Sequence, residues 1–112
     1  MSLNKNFDGL APVGLPILWC PPHAPDDVVP GIVSDSFHNG VVSINTFPTS
    51  KRSGGGLVTS VPHLSDARLF VDGKPTELAK RTGWWMFPKW YEDLVEVRGV
   101  PDRKSGKVKE AN

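Results

Sequence analysis

The sequence predicts an all-β domain, a small SH3-like barrel or partly open β-roll of about five short strands, with short helical turns and a disordered basic C-terminal tail. Three observations carry this. Eleven glycines and eleven prolines punctuate the 112 residues, and the apolar runs between them are short and β-branched, as strands are. An Asn-Gly pair at 39–40 sits between two alternating segments, the strongest short-range hairpin signal. Closing so small a sheet removes the edges that an open meander would leave unprotected. Residues 1–13 read as a flexible N-terminus, 14–97 as a single small β domain and 98–112 as the tail.

Taken in order, residues 15–20 form a first strand that starts after Gly14 and stops at Pro21-Pro22, because proline offers no ladder donor and biases its predecessor to an extended conformation. Residues 21–30, with four prolines and Asp26-Asp27, form an exposed connection. A type I′ turn at Asn39-Gly40 would pair 31–37 with 41–47, placing His38 opposite Val41, Phe37 opposite Val42, Asp35 opposite Ile44 and Val33 opposite Thr46. Alternation then sends Val33, Phe37, Val42, Ile44 and Thr46 to the core face and Ser34, Ser36, Ser43 and Asn45 to the other. Asp35 fits that core face badly, so either a bulge re-aims it or it sits at the core margin.

Residues 48–56, with Lys51-Arg52 and three consecutive glycines, read as a mobile, positively charged loop. Residues 57–61 are a fourth strand. Asp72-Gly73 offers a weaker hairpin whose return arm Pro75 confines to an edge. Residues 77–81 suit one helical turn, and 83–88 the last core strand. Residues 89–97 are ambiguous: Trp90, Leu94 and Val97 lie near helical spacing, whereas 94–98 also alternate like a strand.

This order of segments resembles a group of small uncharacterised proteins encoded in bacteriophages and prophages. The resemblance spans about residues 15–88 and rests on the 15–20 strand, Pro-Gly-Ile-Val at 30–33, Val-Val-Ser-Ile-Asn-Thr-Phe at 41–47 and Gly-Trp-Trp-Met-Phe-Pro at 83–88. Here Thr82-Gly83 reverses the group's Gly-Thr order, Met86 and Phe87 stand near its second Trp, and 68–82 reads as an insertion. What the resemblance implies is a phage-derived small barrel with no catalytic residues to carry over.

Composition excludes more than it assigns. At 12.2 kDa and net charge +1 there is room for one domain, which at this size buries roughly two-thirds of its unfolded surface. Cys20 is the only cysteine, so no intrachain disulfide forms and a reducing, cytoplasmic setting is expected, with virion association as a variant. No signal-like or membrane-spanning apolar run occurs. Residues 98–112 carry +3 and the rest of the chain −2. A zinc site from Cys20, His23, His38 and His63 would need ligands from scattered positions, with the Cys20–His23 arm stiffened by two prolines. Cys20 with His23 or His63 as nucleophile and base lacks an orienting third group in the sequence. The 54–56 glycines follow Lys51 and precede a strand, the reverse of a phosphate-binding loop. No cofactor is expected.

The informative feature is aromatic. Trp84, Trp85, Met86, Phe87, Trp90 and Tyr91 place six large side chains in eight positions. Alternation sends Trp84 and Met86 to one face and Trp85 and Phe87 to the other, yet a small barrel has one interior. One of these pairs must be covered by the 89–97 segment, a partner chain or a ligand. The expectation is a non-enzymatic structural or protein-interaction module that docks on a protein, or on itself, through Trp84, Trp85, Phe87, Trp90 and Tyr91. One alternative is a single-stranded nucleic-acid-binding barrel using Lys51, Arg52, Arg103, Lys104, Lys107 and Lys109. Another is a small metal-binding or thiol-dependent protein through Cys20 and His23.

Overall fold

The computed structural model describes residues 3–5, 7–51, 54–98, 100–101 and 108–109. Strands β1 (Pro16–Cys20), β2 (Val29–Ser36), β3 (Val42–Thr46) and β4 (Gly56–Val61) are followed by a ribbon of β5 (Phe70–Val71) and β6 (Lys74–Pro75). Helix α1 (Glu77–Thr82), strand β7 (Trp84–Met86) and helix α2 (Lys89–Arg98) complete the body. One antiparallel sheet runs in the order β4-β3-β2-β1-β7. The chain leaving β4 at one end meets β7 at the other: the Trp85 amide donates to the Pro62 carbonyl (3.1 Å), and the Leu64 amide to the Trp85 carbonyl (2.8 Å). The sheet therefore curls until its ends touch, giving the barrel-like all-β architecture that the strand pattern predicts. Ile17, Trp19, Val29, Val33, Val42, Ile44, Val61, Trp85 and Phe87 fill its interior.

The central hairpin forms, but its register differs from the one expected. Asn39 (φ 64°) and Gly40 (φ 75°) both adopt left-handed conformations, as an Asn-Gly turn requires. However, His38–Gly40 makes a short 3₁₀ turn and the Phe37 amide donates to the Val41 carbonyl (2.8 Å). The loop is thus one residue longer than a two-residue turn. Pairs become Ser36↔Val42 and Asp35↔Ser43, and beyond a bulge Val33↔Ile44 and Gly31↔Thr46. Tertiary contacts claim the turn: the Trp85 indole N–H donates to the Gly40 carbonyl (2.8 Å), and the Gly40 amide donates to Gly9 O (3.1 Å).

Two face assignments change with the register. Phe37 is 48% exposed rather than in the core, and Ser43 is buried. The bulge at Ser34 answers the Asp35 question: it swings Asp35 outward, and the Ser34 hydroxyl donates to the Ser43 carbonyl (3.2 Å). Ser36 turns inward in its place, its Oγ buried without a hydrogen-bond partner.

The C-terminal half explains itself locally. Asp72 (φ 52°) and Gly73 (φ 76°) turn the β5–β6 ribbon. The Thr76 hydroxyl caps α1 by accepting the Ala79 amide. Gly83 ends the helix at φ 64°, ψ −152°, a region only glycine occupies readily, and a Cβ there would collide with the Cys20 carbonyl oxygen. That contact seats β7 against β1. Residues 89–97, ambiguous between helix and strand, are helical: the Pro88 carbonyl accepts the Tyr91 and Glu92 amides (3.0 and 3.2 Å), starting α2.

Described residues near both ends take defined structure. In the N-terminal segment, expected to be flexible, Phe7 packs on the core and Ala11 is buried. From the C-terminal tail, Val100–Pro101 pairs with Val108–Lys109 as a small antiparallel ribbon, β8 and β9. No helix among the described residues is long and apolar enough to cross a membrane.

Candidate functional site

The aromatic stretch divides between interior and surface. Trp85 and Phe87 point inward and are buried, their rings 4.8 Å apart edge to face. Helix α2 supplies the cover that alternation demanded. Tyr91 and Val95, one turn apart, face the core, with Tyr91 stacked on Phe87 at 5.3 Å. Trp85, Phe87 and Tyr91 are therefore structural, and burial removes them from any docking surface. Trp84 is half-buried against Phe70 at 5.1 Å. Trp90 and Leu94, also one turn apart, remain 55% and 40% exposed on the outer face of the same helix. Of the five aromatics expected at an interface, Trp90 is open and Trp84 partly so.

Behind the aromatic core lies a polar node that the sequence does not announce. His63 is 0% exposed, yet both ring nitrogens are engaged. The Ser65 amide donates to Nδ1 (3.1 Å), which fixes Nδ1 as an acceptor and leaves the proton on Nε2. Nε2–H then donates to Asn4 Oδ1 (3.0 Å). Asn4 Oδ1 also accepts the Phe87 amide (2.8 Å), while Asn4 Nδ2 donates to the Phe87 carbonyl (2.9 Å) and to Glu92 Oε1 (3.1 Å). Every donor and acceptor position of that carboxamide is used. Where β7 stops, the Asn4 side chain takes the place of a neighbouring strand.

Ser65, His63 and Asn4 are, in type and sequence of contact, the hydroxyl, imidazole and carboxamide of a nucleophilic site, with Ser65 Oγ 2.9 Å from Nδ1. Ser65 also lines an open depression of about 360 Å³ with Phe7, Asp8, Asn39, Asp66 and Arg68. The wiring favours packing over chemistry. Ser65 Oγ accepts the Phe7 amide (2.9 Å) and its own main-chain N–H occupies Nδ1. Burial drives the His63 imidazolium down to a pKa of about 4, against the opposing pull of Glu92 and Asp66, so this ring is a weak base. The neighbouring Asp66 carboxyl is held below its ordinary value by hydrogen bonds from Arg68.

The thiol and metal candidates lie apart. Cys20 is buried at the end of β1, and burial followed by the Asp26 charge pushes its pKa up to about 11, with the Trp84 side chain pulling the other way. The thiolate is negligible at neutral pH. His23 and His38 sit on exposed loops. No three His, Cys, Asp or Glu side chains converge among the described residues. Of the basic residues proposed for nucleic acid, Lys51 is paired with Asp27 at 2.9 Å; Arg52, Arg103, Lys104 and Lys107 lie outside the described residues, and Lys109 is placed only as backbone in β9.

Sequence reasoning missed Asn4, Phe7, Ser65 and Glu92. They make contacts 58 to 88 residues apart along the chain, and none carries a periodic or motif signal. No known family model, curated protein or solved structure matches this chain.

Proposed function

We propose that this chain is a non-enzymatic protein-interaction module, of phage or prophage derivation and acting in the cytoplasm or on a virion, that docks through the outer face of α2. The observation that carries this is Trp90 with Leu94. Tyr91 and Val95 supply the core contacts that hold α2 on the barrel, while Trp90 touches the fold through its edge contact with Tyr91 (5.9 Å) and leaves 55% of its surface in water. Taking ordinary side-chain areas, the two leave about 200 Å² of apolar surface in water, less than the largest patch an ordinary monomer exposes, so the reading rests on the residue types and not on the area. Tryptophan is also the residue type most enriched at interface hot spots. The nucleic-acid alternative is weaker, because Lys51 brings its own counter-charge from Asp27.

The test is the pair Trp90→Ala and Leu94→Ala in the full chain, compared with wild type by cross-linking mass spectrometry in the source cells and by sedimentation. Cross-links that map to α2 and vanish in the variant, with the fold intact, support the reading. Cross-links that persist, or that lie elsewhere, overturn it. A salt-dependent mobility shift with single-stranded DNA that survives the α2 substitutions would favour the alternative instead.

A further inference from the structure

The N-terminal segment closes the barrel with side chains rather than by joining the sheet. Residues 3–5 and 7–11 lie across the seam where β7 meets Pro62–Leu64. Asn4 fills the polar node, and its backbone amide donates to Glu92 Oε2 (3.1 Å). The Phe7 ring enters an aromatic pocket at 4.9 Å from Phe87, 5.4 Å from His63 and 5.7 Å from Trp85. The Phe7 amide ends on Ser65 Oγ (2.9 Å). This cradle reads a carboxamide and, three residues on, an aromatic ring. Asn4–Phe7 is the only Asn-x-x-Phe in the chain.

A sharp reversal joins this arm to the barrel. The Leu15 amide donates back to the Pro12 carbonyl (3.2 Å), Val13 is exposed, and Gly14 sits at φ 91°. Beyond the reversal, Gly14 and Leu15 already bond to Val33 and belong to the sheet. The arm's cradle contacts would be the same whichever molecule supplied the arm, so opening this turn is the main conformational change that exchange requires.

We propose that the cradle of His63, Ser65, Trp85, Phe87 and Glu92 is an exchangeable peptide site, and that a second copy of this chain fills it by reciprocal swapping of residues 3–11. The chain itself carries one matching segment, Asn4–Phe7, and the hinge is a turn at a glycine with φ 91°. The proposal uses neither Trp90 nor Leu94, so it stands or falls apart from the α2 reading.

The experiment mixes isotope-labelled and unlabelled full-length chains at about 1 mM, where even a weak dimer is populated, and records isotope-filtered NOEs. Exchange predicts NOEs between Phe7 of one molecule and Phe87 and Trp85 of the other. Gly14→Ala penalises the left-handed turn of the closed monomer but not an opened hinge. In each dimer two such penalties are relieved, less the Gly14–Val33 hydrogen bonds that the change of φ gives up, so dimerisation should tighten by up to about thirtyfold. A wild-type chain that stays monomeric at that concentration overturns the proposal, as does a dimer whose Phe7–Phe87 NOEs are all intramolecular. Should Gly14→Ala fail to fold, the wild-type NOEs decide alone.

Discussion

Acid should loosen this barrel through one side chain. His63 is fully enclosed, with Nδ1 accepting the Ser65 amide and Nε2 donating to Asn4. Protonation would strip Nδ1 of its acceptor role and place a cation against Trp85 and Phe87. The folded pKa is depressed from 6.5 to about 4. Between those values the unfolded chain binds a proton that the folded chain refuses, so stability is full above the unfolded pKa and drains as pH falls toward the folded one. A shift of this size is worth about 3 kcal/mol over the whole window, of which about 2 kcal/mol is gone by roughly pH 5. Most carboxylates are still ionised there. For a domain of this size that is a fall in Tm of roughly 10 °C. Urea unfolding of wild type and His63→Gln at about pH 8 and about pH 5 measures it, with the variant expected to lose the dependence. Equal wild-type stabilities at the two values, or an NMR titration of His63 near 6.5, would refute the reasoning.

Other substitutions probe separate parts of the argument. Gly83→Ala forces a Cβ into the Cys20 carbonyl at a backbone conformation closed to alanine; thermal unfolding should show a loss of about 3 kcal/mol or more. Tyr91→Ala should cost about 3 kcal/mol by removing the ring stacked on Phe87. Trp90→Ala, one residue away, gives up an edge contact with Tyr91 and should cost about 1 kcal/mol or less, and equal losses at 90 and 91 would contradict the inner and outer faces assigned to α2. Ser36→Ala deletes a buried hydroxyl without a partner and should be neutral or stabilising by up to about 1 kcal/mol, read from denaturant midpoints. Cys20, with its pKa near 11, should resist iodoacetamide at neutral pH in the folded chain and react only on unfolding; alkylation of the native protein at a free-thiol rate would show the burial to be misjudged.

The strands were legible because their signals are local. Proline at 21 and 22 ends β1, Asn39-Gly40 and Asp72-Gly73 supply left-handed pairs, and the Trp84–Phe87 alternation foretells one buried and one outward pair. What escaped was decided by contacts distant in sequence. The 39–40 turn has the chemistry of a two-residue loop, yet Gly40 is held by Gly9 and by the Trp85 indole. The register shifts by one, sending Phe37 outward. Helix or strand for 89–97 depended on whether Tyr91 and Val95 had an apolar wall one turn apart to rest on, and Phe87 provides it. Of the candidate site, Trp90 was readable as an aromatic near the domain's end. Its separation from Tyr91, its neighbour in sequence, follows only from the helix.

The N-terminal arm shows why composition misjudges such segments. A polar stretch with no apolar run has little to bury, and by area alone it should dangle. Asn4 offsets this with geometry: one carboxamide reaches both backbone groups of Phe87, the His63 ring and Glu92, satisfying polar atoms that would otherwise be stranded where the sheet runs out. The node therefore needs the arm, and the arm adds the Phe7 ring and Ala11 to the core. A contact of that kind is specific without being deep. It can close the barrel in the monomer and still be surrendered to an identical arm from another molecule, because no polar group is left unsatisfied after the exchange.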